Sequence, residues 1–309
     1  AACGPLLRGH NALLVAPSAT GKTEAALAPV IERMLNMRPP APAAELGLLY
    51  IAPTRALCRE MAERLHQNLS LLDRRVRPRT GDTPTLPRPC PFGLCTTVES
   101  LDSLLARAPA TLSTVRAVVL DEVHALHGNP RGDQLMVLMG RLDRATKSPP
   151  QRVALSATVS DPDEFVRRYL GSGQLISGEG RRATRLRTVK DIEALAAAIR
   201  EEGLRRVLCF AKTRQAVEEG AAALRPFIGA GRVMVHHAGM SRRVRHEVEE
   251  ALRSSPVWVC VATSTLELGI DVGAIEAVGL LDVPTDPATF QQRSGRAGRR
   301  DPVVRVLVV

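Results

Sequence analysis

Short runs of apolar residues recur along the whole chain, and longer stretches with helical spacing separate them. Several runs are apolar at every position, which is typical of strands in a parallel sheet that helices cover on both faces. Strands are predicted at 12–16, 46–52, 93–97, 115–120, 153–156, 207–210, 233–236, 257–261, 277–281 and 303–309. Helices are predicted at 23–37, 56–70, 100–107, 133–145, 163–170, 191–202, 214–227, 242–254 and 288–292. The residues before the first strand are predicted to form a turn, and the alternation as a whole predicts an α/β fold.

The alternation runs through the chain twice, and 309 residues are enough for about two domains. Between the two series, residues 171–188 are rich in glycine, serine and arginine and show no periodicity, which indicates a linker. We therefore expect one α/β domain at 1–175 and a second at 185–309.

Composition excludes several classes of protein. Apolar residues make up 45% of the chain and charged residues 24%, as in ordinary globular proteins rather than disordered or collagen-like ones. No segment approaches the roughly 20 apolar residues of a membrane helix, and no signal peptide is predicted at the start. Six scattered cysteines indicate free thiols in a reducing compartment, so a cytoplasmic protein without membrane contact is expected.

The charge of the chain indicates a polyanionic partner. The formal net charge is +10, and only four of the 42 basic residues are lysines. Arginine suits bidentate contacts with phosphate groups, although a GC-rich genome would also produce this bias, and both explanations stay open. The chain contains only eight aromatic residues. Contacts with a nucleic-acid backbone are therefore expected rather than base stacking.

A phosphate-binding loop is predicted where the first strand ends. A strand, a loop of small residues and Gly-Lys-Thr at the start of a helix place backbone N–H groups around phosphates. Lys22 can reach the β- and γ-phosphates, and the hydroxyl of Thr23 can ligate Mg²⁺. Ala16 and Ala19 stand where glycine is common, so a chance Gly-Lys-Thr is the alternative interpretation. The loop comprises Ala16, Pro17, Ser18, Ala19, Thr20, Gly21, Lys22 and Thr23.

Two adjacent acids, Asp121 and Glu122, follow the apolar strand predicted at 115–120. The carboxyl ends of parallel strands lie at one edge of the sheet, so the acids are expected beside the phosphate loop. A divalent cation would relieve the repulsion between them. Asp121 is predicted to hold Mg²⁺, often through water, and Glu122 to orient and deprotonate the attacking water. The alternative is an acidic turn exposed to solvent.

Four arginines lie within residues 292–300, among glycines that let the backbone pack closely. Arginines supplied across an interface can stabilise the charge that develops on a phosphoryl group during transfer. Taken alone, the segment is better explained by a solvated basic patch or by a nucleic-acid-binding run.

Nine short motifs occur in the order and at the spacing of the two-domain core of superfamily 2 helicases. The motifs are APSATGKT (16–23), APTRAL (52–57), TGD (80–82), TTVESL (96–101), DEVH (121–124), SAT (156–158), FAKTR (210–214), VATSTLELGIDV (261–272) and QRSGRAGR (292–299). The chain resembles the DEAD/DEAH-box helicases over nearly its whole length. Within that superfamily, DEVHAL, HHAGMSRRVRHEVE and ATSTLELGID are most similar to the Lhr (large helicase-related) and Ski2-like branch. The resemblance implies two tandem RecA-like domains of the P-loop NTPase fold, each a mostly parallel sheet flanked by helices.

The resemblance also implies ATP and Mg²⁺ as cofactors, with ATP between the two domains. The residues that match the family's phosphate-contacting positions are Lys22, Thr23, Asp121, Glu122, Gln292, Arg296 and Arg299. Gln292 would help to sense the γ-phosphate, and Asp271 with Gly269 beside it would contact the ribose. The residues that would couple hydrolysis to domain movement are His124, Ser156 and Thr158. Without the resemblance, a helix cap after a strand would explain Ser-Ala-Thr.

The implied activity is ATP-dependent movement along nucleic acid or unwinding of it, as a helicase or translocase. The strand would cross both domains, where small hydroxyl residues and backbone amides hold its sugar–phosphate backbone. The residues at the matching positions are Pro53, Thr54, Arg55, Gly81, Asp82, Thr96, Thr97, Thr213, Arg214, Thr263 and Ser264. The similarity to Lhr favours DNA and a 3′-to-5′ direction, with RNA as the alternative. Other hypotheses are an ATPase switch or clamp that remodels without unwinding, and a degenerate fragment that only binds.

His124, His236 and His237 invite a metal-site interpretation, but no other histidine or cysteine lies near them at ligand spacing. Cys90 and Cys95 lack a second pair, so no zinc site is expected. The glutamine and the aromatic residue that read adenine upstream of the loop in many relatives are absent, which leaves nucleotide specificity open. The winged-helix and ratchet domains of Lhr- and Ski2-like proteins are also absent, so a fragment or a chain that acts with protein partners is expected.

Overall fold

The computed structural model describes residues 2–17, 20–37, 45–159, 161–178, 183–267, 273–298 and 303–309. The chain divides into two compact units, Ala1–Gly180 and Arg181–Val309, and each has its own sheet and its own core. None of the described helices has the length and hydropathy that a bilayer span requires.

The first unit is a parallel sheet between helices. Its strands are β1 (Ala12–Val15), β2 (Leu48–Ile51), β3 (Val76–Arg79), β4 (Gly93–Thr96), β5 (Ala117–Leu120), β6 (Gln151–Ser156) and β7 (Gln174–Ser177). Its helices are α1 (Cys3–Leu7), α2 (Lys22–Asn36), α3 (Arg55–Leu69), α4 (Val98–Arg107), α5 (Pro130–Ala145) and α6 (Pro162–Phe165), which a π-helical turn continues over Val166–Leu170. Within the described residues the seven strands form one sheet in the order β3-β4-β2-β5-β6-β1-β7, and every pair is parallel.

The second unit repeats this architecture. Its strands are β8 (Ala183–Thr188), β9 (Arg206–Phe210), β10 (Val233–His236), β11 (Trp258–Ala262), β12 (Ala277–Leu280) and β13 (Val303–Val308). Its helices are α7 (Ile192–Glu201), α8 (Arg214–Ile228), α9 (Arg242–Ser254) and α10 (Pro287–Ser294). The six strands of the described part form a parallel sheet in the order β10-β11-β9-β12-β13-β8.

Burial on both faces explains why the central strands are apolar throughout. Every residue of β2, β4 and β5 is buried. Leu49 of β2 shares a core with Leu101 of α4 and Leu138 of α5, and Val207 of β9 shares the second core with Leu224 of α8. Burial of each such side chain contributes about 1.5–3 kcal/mol. The packing therefore holds the carboxyl ends of the strands, and the residues that follow them, in fixed positions.

All ten predicted strands and all nine predicted helices overlap an element of the predicted type, and the unpredicted elements are the edge strands β3, β7 and β8 and the N-terminal helix α1. The predicted linker at 171–188 contains the boundary between the two units, but the segment is not irregular throughout, because β7 hydrogen-bonds to β1 and β8 hydrogen-bonds to β13. Both are edge strands with largely exposed side chains, so they lack the apolar runs of central strands. The predicted domain limits at 175 and 185 fall inside these two strands. We propose that the domain boundary along the chain lies between Ser177 and Ala183.

The predicted N-terminal turn is limited to Arg8 and Gly9, just before β1. Residues Cys3–Leu7 form helix α1, which packs on α2 and buries the side chain of Leu6 completely. Five residues are too few for a helical period to be visible in the sequence. The contact with α2, which is distant in sequence, stabilises this helix.

Candidate active site

The phosphate loop lies between β1 and α2. Gly21 precedes the helix in a left-handed conformation (φ +79°), which glycine adopts without strain. Lys22 begins α2 and is 8% exposed, and the hydroxyl of Thr20 donates to the carbonyl of Pro17 at 2.7 Å. No described side chain caps this helix, and the first N–H groups of a helix without a side-chain cap suit an anion. The predicted site residues that lie outside the described part of the chain are Ser18, Ala19, Gly269, Asp271 and Arg299.

A cavity of about 230 Å³ opens beside this loop. Thr20 and Lys22 lie on its polar side, and its apolar walls include Leu14 of β1 and Ile176 of β7. These walls suit an uncharged part of a ligand whose phosphates rest on the loop. The strand β7, which the sequence did not predict, therefore contributes to the site.

Asp121 follows β5 and lies at the same edge of the sheet as the phosphate loop, because β1 and β5 both pair with β6 in parallel. Its Oδ1 accepts a hydrogen bond from the N–H of Glu122 at 2.9 Å, and its Oδ2 accepts one from the hydroxyl of Tyr50 at 2.5 Å. Burial and the neighbouring carboxylate of Glu122 raise the pKa of Asp121 to about 7. A buried carboxylate is costly without a cation, so this position favours a metal ion.

Glu122 lies between Lys22 and His124. Its Oε2 is 3.7 Å from Nζ of Lys22 and 3.4 Å from Nδ1 of His124. The atoms Glu122 Oε2, Lys22 Nζ and His124 Nε2 are buried and form no hydrogen bond with any described residue. Buried polar atoms are nearly always partnered, so these three indicate a polar ligand such as a phosphate with its metal ion. The backbone of Glu122 is left-handed (φ +45°), a strained conformation that is common at functional sites.

His124 connects the acids to the Ser-Ala-Thr segment that ends β6. Its Nδ1 lies 3.1 Å from the hydroxyl of Ser156 and accepts a hydrogen bond from the N–H of Ala157 at 3.3 Å. The hydroxyl of Ser156 donates to the carbonyl of Thr158 at 2.5 Å. Burial lowers the pKa of His124, so the ring is neutral at pH 7. The structure thus brings the acids and the Ser-Ala-Thr segment together.

In the second unit, α10 carries Gln292 and Arg293, and Arg296 follows the helix. Arg293 Nε donates to Oε1 of Glu267 at 2.6 Å, and its guanidinium lies 5.2 Å from the centre of the Phe210 ring. Arg296 donates from Nε and Nη2 to the carbonyl of Glu267 at 2.9 and 2.6 Å. Both arginines are buried, and Gln292 is half-buried. Glu267 therefore positions two arginines of this segment, a role that the sequence analysis missed because the two stretches are far apart in the chain.

Three of the threonines predicted to contact nucleic acid are N-caps. Thr54, Thr97 and Thr213 each accept a hydrogen bond from the backbone N–H three residues further on, at 3.2, 3.4 and 3.1 Å. They begin α3, α4 and α8 after the carboxyl ends of β2, β4 and β9, and Pro53 is buried just before the first of them. The other N–H groups of a first helical turn favour phosphate, so these three helix ends suit a nucleic-acid backbone.

Asp82 holds two arginines of α3. Its carboxylate accepts from Arg55 at 2.8 Å and from Arg59 at 3.1 Å, and the two arginine side chains are 58% and 41% exposed. A Cβ at Gly81 would lie 2.9 Å from Nη2 of Arg55, so glycine leaves room for this contact. A carboxylate repels phosphate, and we therefore interpret Asp82 as the residue that positions Arg55 rather than as a direct contact.

The other predicted nucleic-acid contacts differ in their exposure. Thr96 is fully buried and its hydroxyl donates to the carbonyl of Arg79 at 2.8 Å, so its side chain presents no accessible atom in this structure. Arg214 begins α8 and is exposed, as is Ser264, while Thr263 is half-buried.

His236 and His237 contact residues of their own unit. Nδ1 of His236 lies 2.8 Å from the hydroxyl of Thr265, and its Nε2 lies 3.3 Å from Oε1 of Glu249. Nε2 of His237 lies 3.0 Å from Oε1 of Glu218. In the part of the chain that the structure describes, histidine, cysteine and acidic residues form no group of three that could hold a metal ion. Magnesium needs no such group, because it commonly takes one or two carboxylates together with phosphates and water.

A parallel sheet whose strand β1 leads through Gly-Lys-Thr into a helix, with paired acids after a nearby strand, defines a P-loop NTPase. The DEAD/DEAH box helicase family model matches residues 1–165, and the helicase conserved C-terminal domain model matches residues 190–301. The chain therefore belongs to the DEAD/DEAH-box helicase family.

Similar proteins come from bacteria and archaea. The chain is 30% identical to the Lhr helicase/probable uracil glycosylase of Mycolicibacterium smegmatis, over 94% of this chain and 24% of the relative. It is also 30% identical to the ATP-dependent helicase Lhr-Core of Methanocaldococcus jannaschii, over 94% of this chain and 39% of the relative. The chain thus spans about a quarter of the first relative and about two-fifths of the second.

Solved structures support the same family and fold. Lhr helicase of Mycobacterium smegmatis bound to ssDNA and AMP-PNP has a TM-score of 0.80 and 29% identity, over 97% of this chain and 44% of that one. The DEAD-box helicase Mss116 bound to ssRNA and UDP-BeF, at 18% identity and a TM-score of 0.82 over 99% of this chain and 68% of that one, shares the fold. The predicted resemblance to the Lhr branch and the predicted pair of RecA-like domains are confirmed.

Proposed function

We propose that this chain is the motor core of an ATP-dependent nucleic-acid helicase or translocase. The observation that carries the proposal is the group of buried polar atoms on Lys22, Glu122 and His124 that form no hydrogen bond with the described residues, beside the N-terminus of α2. A triphosphate with its metal ion would supply the hydrogen-bond partners that these atoms lack. Membership of the DEAD/DEAH-box helicase family and the similarity to Lhr support helicase activity.

The site residues of the first unit have distinct proposed roles. Lys22 binds the β- and γ-phosphates, and Asp121 with the hydroxyl of Thr23 holds Mg²⁺. An Mg²⁺ ion held there would supply positive charge to offset the negative charge that develops on the phosphates during transfer. Glu122 orients the attacking water and accepts its proton. His124, neutral and bonded to the Ser-Ala-Thr segment, transmits the state of the site to the end of β6.

Residues of the second unit complete the proposed reaction. Arg296 and Arg299 stabilise the charge of the transferring phosphoryl group, and Gln292 senses its presence. Asp271 and Gly269 contact the ribose. Glu267 supports this arrangement because it already holds the guanidinium of Arg296 in place. ATP bound between the domains would then bring them together, and hydrolysis would release them.

We propose single-stranded DNA as the preferred substrate, because the Lhr relative at 29% identity is described as bound to ssDNA. The N-caps of α3, α4 and α8, together with Arg55, would hold its phosphates. Contacts with phosphates carry no sequence information, so binding is expected to be independent of sequence and strongly dependent on salt.

The proposal is tested by measuring ATP turnover without nucleic acid and then with single-stranded DNA, single-stranded RNA and duplex. We expect the largest stimulation with single-stranded DNA and its loss in Lys22→Ala. Lys190→Ala, which changes a largely exposed lysine that pairs with its neighbour Asp191, serves as the matched control. Turnover that nucleic acid does not stimulate, or that survives Lys22→Ala, contradicts the proposal. A parallel strand-displacement assay separates a helicase from a switch or clamp, which would hydrolyse ATP without displacing a strand.

We also propose a cytoplasmic location. All six cysteines are free, and burial raises the pKa of the thiols of Cys58 and Cys209 to about 12, so these groups stay as unreactive thiols. Free thiols are typical of a reducing compartment. Fractionation of the source cells tests this, and recovery of the protein outside the cytoplasmic fraction contradicts it.

A further inference from the structure

One hydroxyl group reaches the predicted metal-binding acid from inside the sheet. Tyr50 lies in β2, has no exposed surface, and donates from its hydroxyl to Oδ2 of Asp121 at 2.5 Å. The register explains the contact: β2 and β5 pair Tyr50 with Val119, and Asp121 lies two residues further on, so both side chains share one face of the sheet.

A tyrosine here does more than fill space. The other residues of β2 are leucine and isoleucine, and a phenylalanine would occupy nearly the same volume. A buried hydroxyl must find a partner, and the one it has is the carboxylate that the active site depends on. From the sequence alone, Tyr50 is predicted only to lie in a buried strand.

The carboxylate of Asp121 is held by two donors on different sides. Oδ2 accepts from Tyr50, and Oδ1 accepts from the N–H of Glu122 at 2.9 Å. An ionised carboxylate has about four acceptor positions. Two fixed hydrogen bonds set the plane of the group and leave the remaining positions for water or a metal ion.

We propose that Tyr50 is a positioning residue that orients Asp121 for Mg²⁺. The inference rests on the proposed function, since it takes Asp121 as the residue that holds the metal. Partners of a metal-binding carboxylate usually change metal affinity by roughly 10–100-fold when they are removed. The effect of Tyr50 should therefore appear in the metal dependence of nucleotide binding and not in nucleotide binding as such.

The chain offers a matched control because it contains only two tyrosines. Tyr169 is also fully buried, and its hydroxyl lies 3.5 Å from Nδ1 of His127 rather than near Asp121. Binding of a fluorescent ADP analogue is titrated with Mg²⁺, and then without metal in EDTA, for the unchanged chain, Tyr50→Phe and Tyr169→Phe. Tyr50→Phe should raise the Mg²⁺ concentration for half-maximal binding by roughly tenfold and leave metal-free binding unchanged, while Tyr169→Phe changes neither.

Other results overturn the inference. An unchanged Mg²⁺ dependence in Tyr50→Phe, an equal shift in both variants, or an equal loss of metal-free binding assigns Tyr50 to packing alone. If the unchanged chain binds the analogue without any response to Mg²⁺, the proposed function fails together with the inference. The first group of results leaves the proposed function standing.

A second measurement does not require a stable Tyr50→Phe variant. The chain labelled with fluorotyrosine gives two fluorine NMR resonances, and Tyr169→Phe identifies the one that belongs to Tyr50. ADP with Mg²⁺ should shift the Tyr50 resonance, whereas ADP in EDTA should not. A Tyr50 resonance that responds equally in the two conditions, or in neither, overturns the inference.

Discussion

Lys22 Nζ lies 3.7 Å from Oε2 of Glu122, and neither atom forms a hydrogen bond within the described part of the chain. The lysine follows β1 and the glutamate follows β5, so the parallel sheet rather than the local sequence brings them together. Lys22 is largely shielded from solvent, so its positive charge is better placed to bind an anionic ligand than to be hydrated. We propose that a triphosphate binds beside this pair.

Glu122→Gln should separate binding from hydrolysis. The amide keeps the size of the side chain but cannot accept the proton of the attacking water. Turnover should fall by roughly 10²–10⁴-fold while binding of ATP and nucleic acid persists. The measurement is single-turnover hydrolysis beside an ATP-binding titration, with Glu63→Gln on the exposed side of α3 as the control. Hydrolysis at an unchanged rate would contradict the role of Glu122 as the base.

Asp121→Asn should stabilise the metal-free chain at neutral pH. The folded pKa of Asp121 is about 7 and its ordinary value is 3.8, so the folded state binds a proton that the unfolded state has released between these two values. The stability that depends on this group is therefore greatest below about pH 4 and falls as the pH rises toward 7. Asparagine carries no charge and removes this loss.

The measurement is the thermal unfolding midpoint in EDTA at pH 5 and at pH 8. The gain from Asp121→Asn should be larger at pH 8, and Asp163→Asn, which changes an exposed acid of α6, should show no such dependence. A gain that is equal at the two pH values, or a loss at pH 8, would show that the carboxylate does not carry the cost assigned to it.

The central part of the fold was predictable because its physical cause is visible in the sequence. Strands buried on both faces read as continuous apolar runs, and β5 with its following acids stands out for that reason. Edge strands show a weaker pattern, because their side chains are largely exposed: Leu175 of β7 and Leu186 of β8 are 47% and 52% exposed, and arginines flank Leu186 on both sides. Their assignment depends on hydrogen bonds to β1 and β13, which no local pattern reports.

The candidate site was predictable to the extent that its motifs are contiguous. Gly-Lys-Thr and the paired acids can each be recognised from a few consecutive residues. Contacts between distant segments cannot be recognised in this way, and for this reason Tyr50 and Glu267 were missed. Tyr50 has the pattern of a core residue in a buried strand. Glu267 lies in the motif at 261–272, where other residues were predicted to contact the nucleotide or the nucleic acid.

Glu267 and Arg293 should show strong energetic coupling. Their side chains are 11% and 10% exposed, so removal of either one leaves the other as a buried unpaired charge. Glu267→Gln or Arg293→Gln alone should destabilise the second unit by about 3–5 kcal/mol, and the double variant by much less than the sum. Urea unfolding of the four forms measures this. Additive effects would mean that the pair contributes no mutual stabilisation.

Arg55 should contribute to the salt dependence of nucleic-acid binding. Its guanidinium is exposed and held by Asp82, which suits a contact with one phosphate. Arg55→Ala should weaken binding of single-stranded DNA and lower the slope of log K against log salt by about 0.7. Arg144→Ala, an exposed change near the end of α5, is the control. An unchanged slope in Arg55→Ala would place the DNA elsewhere.

The proposed function depends most on an arginine of the second unit that would contact the phosphates bound by the first. Single-turnover hydrolysis of ATP by Arg299→Ala, measured with saturating single-stranded DNA and beside an ATP-binding titration, tests it directly. We expect hydrolysis by Arg299→Ala to be slower by roughly 10³-fold or more, while ATP still binds to the phosphate loop. Hydrolysis at the rate of the unchanged chain would show that the two units do not share one triphosphate.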